Sequence, residues 1–594
     1  MKKLSKLCKV FFLIFMLVAT SYQASAQQNV KWRLWLEQPN QPAILVGELK
    51  LTEAGASLAK TINQIQVKAS VRKADGYFIF NASASARKSA KVYFSLRGTY
   101  QAGTIYSFTG AEPNEKILRQ SPHNPLNHTF DTSVMQELPM AAIKDSAGFW
   151  VALSDAPAFY DNYTTQWLRP GEKEIQVNSG DNGKIISAKL QDATEKYYHT
   201  LKTKKLYVFN GIIFRSKAAN KNNLRKDVLL KVAKWKNQDT TRFAATSFSS
   251  NYMLLRKNET KFSEYWVVPS ISYSNKQYSR DSFWQSMVLP PEMQASCYLN
   301  EANQQSRGAE RPLFVLIWAY RIMKQGLWLD PAVVRKSLNY IEAHVRDGRY
   351  YSNDDPAKKN FQSWYDLVAF EDDDVITYNQ GLLAVALTCA KQLGMHPKIT
   401  PDLATMRYRE MFNEKGGYFP LSAKKDLLAV DPLVGDLLAW LLFDHNILPT
   451  SFVQRHYQTI IGRAKTPYGY KCTSTPNGSF APNEAYSTSG FSVKVDGGGK
   501  EGNYQQGGSW YLYDMLFLID SYLHKVPGSM QEIVWRGSLD FKLGGTYFEF
   551  INTVTGVPNK PNQGWNGSIY AIMKQLIDKK IAGKELFAEI NQVK

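Results

Sequence analysis

The sequence has few of the residues that build disulfides or metal sites. Its 594 residues include only 4 cysteines and 8 histidines. Cys8 lies near the start of the chain, and Cys297, Cys389 and Cys472 are widely spaced. The last three, an odd number of widely separated cysteines, form no disulfide framework and fit no zinc-ligand spacing. These residues therefore give no indication of a metal cofactor or of a fold held by disulfides.

The sequence also lacks an apolar run long enough to span a bilayer. Its first 26 residues have the pattern of a secretory signal: basic residues over 2–9, a short apolar run over 10–19, and Ala24-Ser25-Ala26 as a small-residue cleavage site. We therefore expect a periplasmic or secreted protein, cleaved near Ala26. After removal of the signal, no stable membrane insertion is expected.

Basic charge is plentiful, but no dense Lys/Arg block and no nucleic-acid motif accompanies it. The formal net charge is +20, and removal of the lysines in the signal leaves about +16. We expect no nucleic-acid partner, and the charge is compatible with an acidic glycan or envelope surface. Aromatic residues make up 13% of the chain, which suits contact with sugar rings and a large aromatic core alike.

The first third of the chain has the pattern of short strands. Segments such as 91–96, 149–153 and 206–209 have strand length and are separated by turn-forming residues. The chain is also too long for a single core. We therefore predict a β-sandwich over 27–220, followed by a linker over 221–275 that starts with a helix and continues as a polar loop.

The rest of the chain is a series of predicted helices. Some, such as 375–387, are apolar nearly all round, and others, such as 331–344, are amphipathic. This alternation predicts an inner and an outer ring of helices, as in a helical barrel, over 276–594. The predicted helices cover 312–323, 331–344, 374–393, 402–412, 433–443, 452–461, 510–524 and 565–577.

Four clusters of polar and aromatic residues each precede a predicted helix. They cover 278–284, 364–374, 501–510 and 545–570, and we expect them to meet at one end of the barrel. In the first, Arg280 and Asp281 could bind two adjacent sugar hydroxyls, although Asp is also a common helix N-cap. In the third, glycines permit close approach of the backbone, while Tyr504 and Gln505 offer hydrogen bonds.

Two of the clusters carry acids. The second has five acids within nine residues, which could donate a proton, hold a structural Ca²⁺ or favour a helix N-terminus. Their spacing is not that of an EF-hand loop. The fourth has Glu549 between aromatic neighbours. An inverting glycosidase needs an acid and a base about 6.5–9.5 Å apart with water between them, and these clusters provide candidates for both.

At these positions the chain resembles the six-hairpin (α/α)6 glycosidases, in particular glycoside hydrolase families 63 and 15 and the glycogen-debranching enzymes. Residues 279–282 are similar to the Thr-Arg-Asp-Ser element of glucoamylases. Residues 549–556 and 564–567 are similar to the family 63 pattern Glu-Asn-Tyr-Asn-Pro-x-Thr-Gly followed by Trp-Ser. Trp364-Tyr365-Asp366 is similar to the element that carries the general acid. The resemblance implies that Glu549 is the general base and Asp366 the general acid.

The chain departs from that pattern in three places. The segment after Asp366 is much shorter than in family 63, so Asp373 or Asp374 remains an alternative acid. Asn552-Thr553 replaces Asn-Pro, and Trp565-Asn566 replaces Trp-Ser. The residues expected to hold the sugar are Arg280, Asp281, Trp284, Trp364, Tyr504, Gln505, Trp510 and Trp565.

The resulting prediction is an inverting glycoside hydrolase that acts on an oligo- or polysaccharide without a cofactor. Two alternatives remain open, a polysaccharide lyase and a non-catalytic glycan-binding protein on the same scaffold. A lyase needs a Tyr or His base, and none of the 8 histidines falls in the four clusters. The sequence leaves open the sugar, its linkage and anomer, endo or exo action, and the oligomeric state.

Overall fold

The structure is a computed structural model. In it the chain forms two compact units, Met1–Leu224 and Arg225–Lys594. The predicted secretory signal and Asp366 lie outside the described residues. The residues described are 31–39, 41–100, 104–106, 118–121, 124–130, 140–145, 148–154, 163–169, 172–178, 199–203, 205–257, 265–270, 277–303, 310–327, 329–351, 363–365, 367–368, 370–371, 373–486 and 501–591.

The first unit consists of two antiparallel sheets, and this confirms the prediction of a β-rich N-terminal region. The strand orders are β2-β1-β6-β13-β12-β9-β8, with β14 also paired to β6, and β3-β4-β5-β15-β11-β10-β7. The strands are β1 (Lys31–Glu37), β2 (Ile44–Leu49), β3 (Ala56–Ile62), β4 (Ile65–Ala74), β5 (Tyr77–Ala86), β6 (Ala90–Tyr100), β7 (Thr104–Tyr106), β8 (Leu118–Ser121), β9 (Asn124–Phe130), β10 (Ala141–Asp145), β11 (Gly148–Ser154), β12 (Tyr163–Arg169), β13 (Glu172–Asn178), β14 (His199–Leu201) and β15 (Tyr207–Ser216).

Alternating burial along the strands builds the core of this unit. In β1, Trp32, Leu34 and Leu36 are buried while the residues between them are more exposed, as expected for a strand with one face inward. Phe94 of β6 stacks on Phe209 of β15, with ring centroids 5.9 Å apart. Because these strands belong to different sheets, the inner faces of the two sheets share one hydrophobic core.

The second unit is largely helical, which confirms the prediction of a helical C-terminal region. Among the described residues, no helix combines the length and apolar character needed to cross a membrane. The helices are α1 (Lys221–Trp235), which begins just before the unit boundary, α2 (Arg242–Leu254), α3 (Ser279–Ser286), α4 (Pro291–Asn303), α5 (Arg311–Lys324), α6 (Pro331–Ala343), α7 (Thr377–Gln392), α8 (Pro401–Glu410), α9 (Val434–Phe443), α10 (Thr450–Arg463), α11 (Tyr511–Leu523), α12 (Ser529–Gly544), α13 (Ser568–Asp578) and α14 (Lys584–Asn591).

Two kinds of helix occur, as the sequence pattern indicated. Helix α7 is buried almost along its whole length, whereas α6 buries only Val334, Leu338 and Ile341. One helix was not expected, because α2 occupies part of the segment predicted as a polar loop. Its serines are buried, and the Ser249 hydroxyl donates to the Leu229 carbonyl oxygen at 2.7 Å. Hydrogen bonds of this kind let a polar sequence form a buried helix.

Helices α7 and α9 approach each other through glycines. A Cβ atom added at Gly435 would lie 2.5 Å from the carbonyl carbon of Gly381. Since real Cβ atoms do not come so close to a backbone atom, the two helix backbones are in direct contact here. A side chain at Gly435 would have to push the two helices apart, whereas a Cβ atom at Gly381 would meet the ring of Tyr408 in α8 at 2.9 Å.

We predict that Gly435→Ala lowers the free energy of unfolding of the helical unit by about 1–3 kcal/mol, the usual cost of overpacking. The matched control is Gly462→Ala in α10, where no heavy atom lies within 4 Å of the added Cβ. There, alanine should stabilise the helix by up to about 1 kcal/mol. Urea unfolding followed by far-ultraviolet circular dichroism measures both, and equal effects of the two variants would refute the close helix contact.

Candidate active site

Arg280 links the first predicted cluster to the fourth. It lies in the first turn of α3, where its Nη1 donates to Glu310 Oε1 at 2.7 Å and its Nη2 to Asp281 Oδ2 at 3.1 Å. The guanidinium carbon lies 5.1 Å from the ring centre of Trp565, a cation–π distance. One half-buried cation therefore holds two carboxylates beside an indole ring.

Asp281 and Glu549 belong to one electrostatic group. Asp281 is only 4% exposed. Burial raises the pKa of Asp281 to about 7; the Arg280 guanidinium opposes this rise, while the negative charges of Glu310 and Glu549 add to it. Burial outweighs the attraction of the Arg280 guanidinium, so the pKa of Asp281 lies above its usual value. Near neutral pH, this carboxyl group can therefore exist with or without a proton.

Glu549 lies on a short buried strand, Phe548–Ile551, which is β24. In chain order the second unit contains the short strands β16 (Leu255–Lys257), β17 (Tyr265–Val267), β18 (Val345–Arg346), β19 (Arg349–Tyr350), β20 (Leu428–Ala429), β21 (Lys465–Thr466), β22 (Gly469–Tyr470), β23 (Thr473–Ser474), β24 (Phe548–Ile551) and β25 (Pro558–Pro561).

Strand β24 pairs with β25, and Ile551 pairs with Ser509 at the end of the third cluster. The ring of Phe550 lies 5.4 Å from that of Tyr504 and 5.8 Å from that of Trp510. The third and fourth clusters are thus packed together around the strand that carries Glu549.

Four aromatic rings, which we call the aromatic group, connect the second, third and fourth clusters. Trp364 stacks on Tyr513 with centroids 4.0 Å apart and lies 5.1 Å from Trp510. Trp510 in turn lies 5.9 Å from Trp565. Aromatic rings are the usual partners of apolar sugar faces, and here they lie beside the Arg280 guanidinium.

Asp431 is part of this site and was missed by the sequence analysis. Its Oδ2 accepts from Trp364 Nε1 and its Oδ1 accepts from the Tyr365 hydroxyl, both at 2.6 Å. Burial raises the pKa of Asp431 to about 6, and the two hydrogen bonds limit the rise. Asp431 stands alone between Val430 and Pro432, so a search for clusters of polar and aromatic residues passes over it.

The side chain of Gln505 forms hydrogen bonds with the main chain of the second cluster. Its Nε2 donates to the Trp364 carbonyl oxygen at 2.7 Å, and its Oε1 accepts from the Leu367 amide at 2.8 Å. Both ends of the amide are occupied, so the geometry favours a role in holding this segment over the predicted direct contact with sugar. Tyr504, just before it, has a positive φ of 42°, and its carbonyl oxygen accepts from Trp510 Nε1 at 3.1 Å.

The described members of the acidic run point in different directions. Asp373 is exposed and hydrogen-bonds Lys424, which lowers its pKa. Asp374 is buried and accepts from Ser422 Oγ at 2.6 Å and from the Val375 amide at 2.8 Å. A carboxylate with a lowered pKa is a poor proton donor, and Asp374 is occupied in holding a turn. The geometry therefore favours neither as the general acid. Glu371 and Asp373 share the ammonium group of Lys424 while Asp374 binds Ser422, so the described acids of this run do not form one set of ligands for a metal ion.

Trp284 lies apart from the aromatic group, in the core of the helical unit. It is fully buried, and its ring packs edge-on against Phe283 with centroids 5.0 Å apart. Phe283 also contacts Phe314 and Trp318. Its position next to the Arg280–Asp281 pair in sequence suggested a sugar contact, but these neighbours favour a packing role.

A second buried group, of two acids and a histidine, lies between α9 and α11. Asp436, Asp520 and His524 have potential ligand atoms within 4.8 Å of one another. His524 Nε2 is 2.7 Å from Asp436 Oδ2, and Asp436 Oδ1 accepts from the Leu448 amide at 2.7 Å. Two donors on one tetrahedral zinc are about 3.3 Å apart. The distance of 2.7 Å between His524 Nε2 and Asp436 Oδ2 is shorter than this and is that of a hydrogen bond. This group therefore links the two helices by hydrogen bonds.

We predict that Asp431→Asn removes a pH-dependent loss of stability. Because the pKa of Asp431 rises from 3.8 to about 6 on folding, the folded state binds more protons between about pH 4 and pH 6. The free energy of unfolding therefore falls as the pH rises through this window. Asparagine can still accept from Trp364 and donate to the Tyr365 oxygen, so it keeps both contacts without the charge.

Urea unfolding at pH 4, 5, 6 and 7 measures this difference. The free energy of unfolding of the wild type should decline relative to that of Asp431→Asn up to about pH 6 and then stay level. Parallel curves for the two proteins over the whole range would contradict the assignment.

Comparison with known proteins gives limited information. No family model and no curated protein matches the chain. Among solved structures, it is similar to the GH63 mannosylglycerate hydrolase from Thermus thermophilus in complex with Tris and D-glycerate, at 10% identity and a TM-score of 0.35, over 56% of this chain and 99% of that one. The same hydrolase with glucose gives 9% identity and a TM-score of 0.34, over 52% and 95%. An uncharacterized conserved protein from the same organism gives 10% and 0.34, also over 52% and 95%. Similarity at this level does not assign the chain to a family.

Proposed function

We propose that the protein is an exported glycoside hydrolase that inverts the anomeric configuration of its substrate. The observation that supports this most is the contact among four clusters that are distant in the chain, one of which carries Glu549. Glu549, Asp281, Arg280 and the aromatic group provide carboxyl groups, a guanidinium and indole rings in one buried region. The export is inferred from the N-terminal signal pattern, and the ring closure of the helices as an (α/α)6 toroid is part of the proposal.

Each proposed role follows from the chemistry of the group. Glu549 would take a proton from the attacking water, and Asp366 would protonate the glycosidic oxygen. Arg280 presents a planar set of donors that suits adjacent sugar hydroxyls, and Asp281 can donate or accept because its pKa is about 7. Trp510 and the other rings of the aromatic group would hold the apolar face of the sugar.

A polysaccharide lyase receives less support from the site. Its base would have to be a phenolate or a neutral imidazole, and the tyrosines that interact with Arg280 are Tyr378 and Tyr513. Burial raises the pKa of both well above its usual value, so each phenol keeps its proton. Unsaturated products that absorb in the ultraviolet would nevertheless identify a lyase.

We expect Glu549→Gln to reduce turnover by 10²-fold or more, since a positioned general base contributes about 10²–10⁴-fold. The matched control is Glu414→Gln, which removes a side chain that is 66% exposed and paired with Arg455. Turnover on a glycan panel, with NMR of the first-formed anomer, measures both activity and stereochemistry. An active and normally folded Glu549→Gln, or retention of configuration, would overturn the proposal.

A second experiment assigns the general acid. Asp366→Asn should lose activity on alkyl glycosides by about 10²-fold or more but keep activity on the glycosyl fluoride, because fluoride leaves without being protonated by an acid. Asp373→Asn serves as the control, and its activity on both substrates should stay near that of the wild type. If Asp373→Asn shows the selective loss instead, the acid assignment moves to that residue.

A further inference from the structure

We propose that the buried triad Asp514–Arg536–Asp540 positions Glu549 for catalysis. This inference rests on the proposed function, because it names the residues that hold its general base in place. None of the three is proposed to touch substrate, so each is a positioning residue. The inference depends on hydrogen bonds that tie the triad to the chain on both sides of Glu549.

The triad joins two helices in the core of the helical unit. Arg536 on α12 donates from Nε to Asp514 Oδ2 on α11 at 2.6 Å, and from Nη1 to Asp540 Oδ1 at 2.8 Å. All three side chains have an exposed fraction of 0%. The guanidinium therefore fixes both carboxylates in a region without competing solvent.

One carboxylate reaches the chain just before Glu549. Asp540 Oδ2 accepts from the backbone amide of Phe548 at 2.9 Å. The carbonyl oxygen of Phe548 in turn accepts from Asn566 Nδ2 at 2.7 Å. Both polar groups of the residue that precedes Glu549 are thus held by buried side chains.

The other carboxylate reaches the chain just after Glu549. Asp514 Oδ2 accepts from the Ser509 hydroxyl at 2.5 Å. Ser509 and Ile551 exchange both backbone hydrogen bonds at 2.9 Å. The triad is therefore the link that closes a ring of hydrogen bonds from Phe548 through Arg536 to Ile551, with Glu549 between the two ends.

The energetics of buried ion pairs favour a role in geometry. Taking ions out of water costs free energy, and replacing a buried ionic triad by apolar residues of similar volume is often neutral or stabilising. Apolar contacts would join α11 and α12 but would not hold an amide or a hydroxyl in a set direction. What the triad adds is directional hydrogen bonding on both sides of Glu549, where a misplacement of about 1 Å can cost 10²-fold in rate.

The test is a double-mutant cycle with Arg536→Lys and Glu549→Gln, measured as kcat and KM on the glycosyl fluoride. Lysine keeps the charge but cannot bridge both carboxylates. We expect Arg536→Lys to lower kcat by about 10-fold with KM within about twofold. In the Glu549→Gln background it should cause no further loss, because Arg536 would act only through Glu549.

A purely structural role gives a different result. A smaller folded fraction or a general distortion would lower kcat by the same factor in the wild-type and the Glu549→Gln backgrounds, and that outcome would overturn the proposal. An unchanged kcat in Arg536→Lys would also overturn it. His524→Leu, which removes the hydrogen bond to Asp436 between α9 and α11, is the control for destabilisation away from β24, and its effect should multiply.

If Arg536→Lys does not fold, Ser509→Ala tests the same proposal in the same cycle. It removes one hydroxyl and its hydrogen bond to Asp514 while the backbone pairing with Ile551 remains. The loss should be smaller, about threefold, and again absent in the Glu549→Gln background. A wild type that is inactive across the glycan panel would instead refute the proposed function itself, and this result is distinct from an active wild type with multiplicative losses.

Discussion

The helical unit depends on how buried carboxyl groups are matched with donors. A carboxylate taken out of water must find hydrogen bonds or a cation, or else keep its proton. Three solutions occur side by side. Arg280 holds Asp281 and Glu310, Arg536 holds Asp514 and Asp540, and Asp431 accepts from an indole and a phenol. Each solution fixes directions as well as charge, and each lies within or beside the candidate site.

Each of these networks holds a different part of the candidate site in position. The Arg280 network brings carboxyl groups against Trp565, while the Arg536 network ties down the strand that carries Glu549. Asp431 and Gln505 act on the segment around Trp364 from two sides, one through side chains and the other through the main chain. The proposed general base thus lies on a short strand, and Arg280 and Asp281 lie in the first turn of the short helix α3. The longer helices α11 and α12 supply Asp514, Arg536 and Asp540.

Local pattern in the sequence was sufficient for some features and insufficient for others. Alternating and helical periodicity predicted the β-rich and helical regions, and the position of each cluster before a helix predicted that they would meet. The serine-rich helix α2 was missed, since its burial depends on hydrogen bonds to another helix. The role of Asp431 could not be predicted either, because its partners Trp364 and Tyr365 are distant in the chain. Trp284 shows the converse, since nearness in sequence to Arg280 says nothing about the direction in which its ring packs.

The amide of Gln505 has a consequence for the way the site assembles. It joins the third cluster to the backbone on both sides of residues 365 and 366, across about 140 residues of chain. Neither segment can then leave its native position without breaking the hydrogen bonds of the other. Opening events in this region should therefore be concerted, so that amide hydrogens in the two segments exchange with solvent at a common rate.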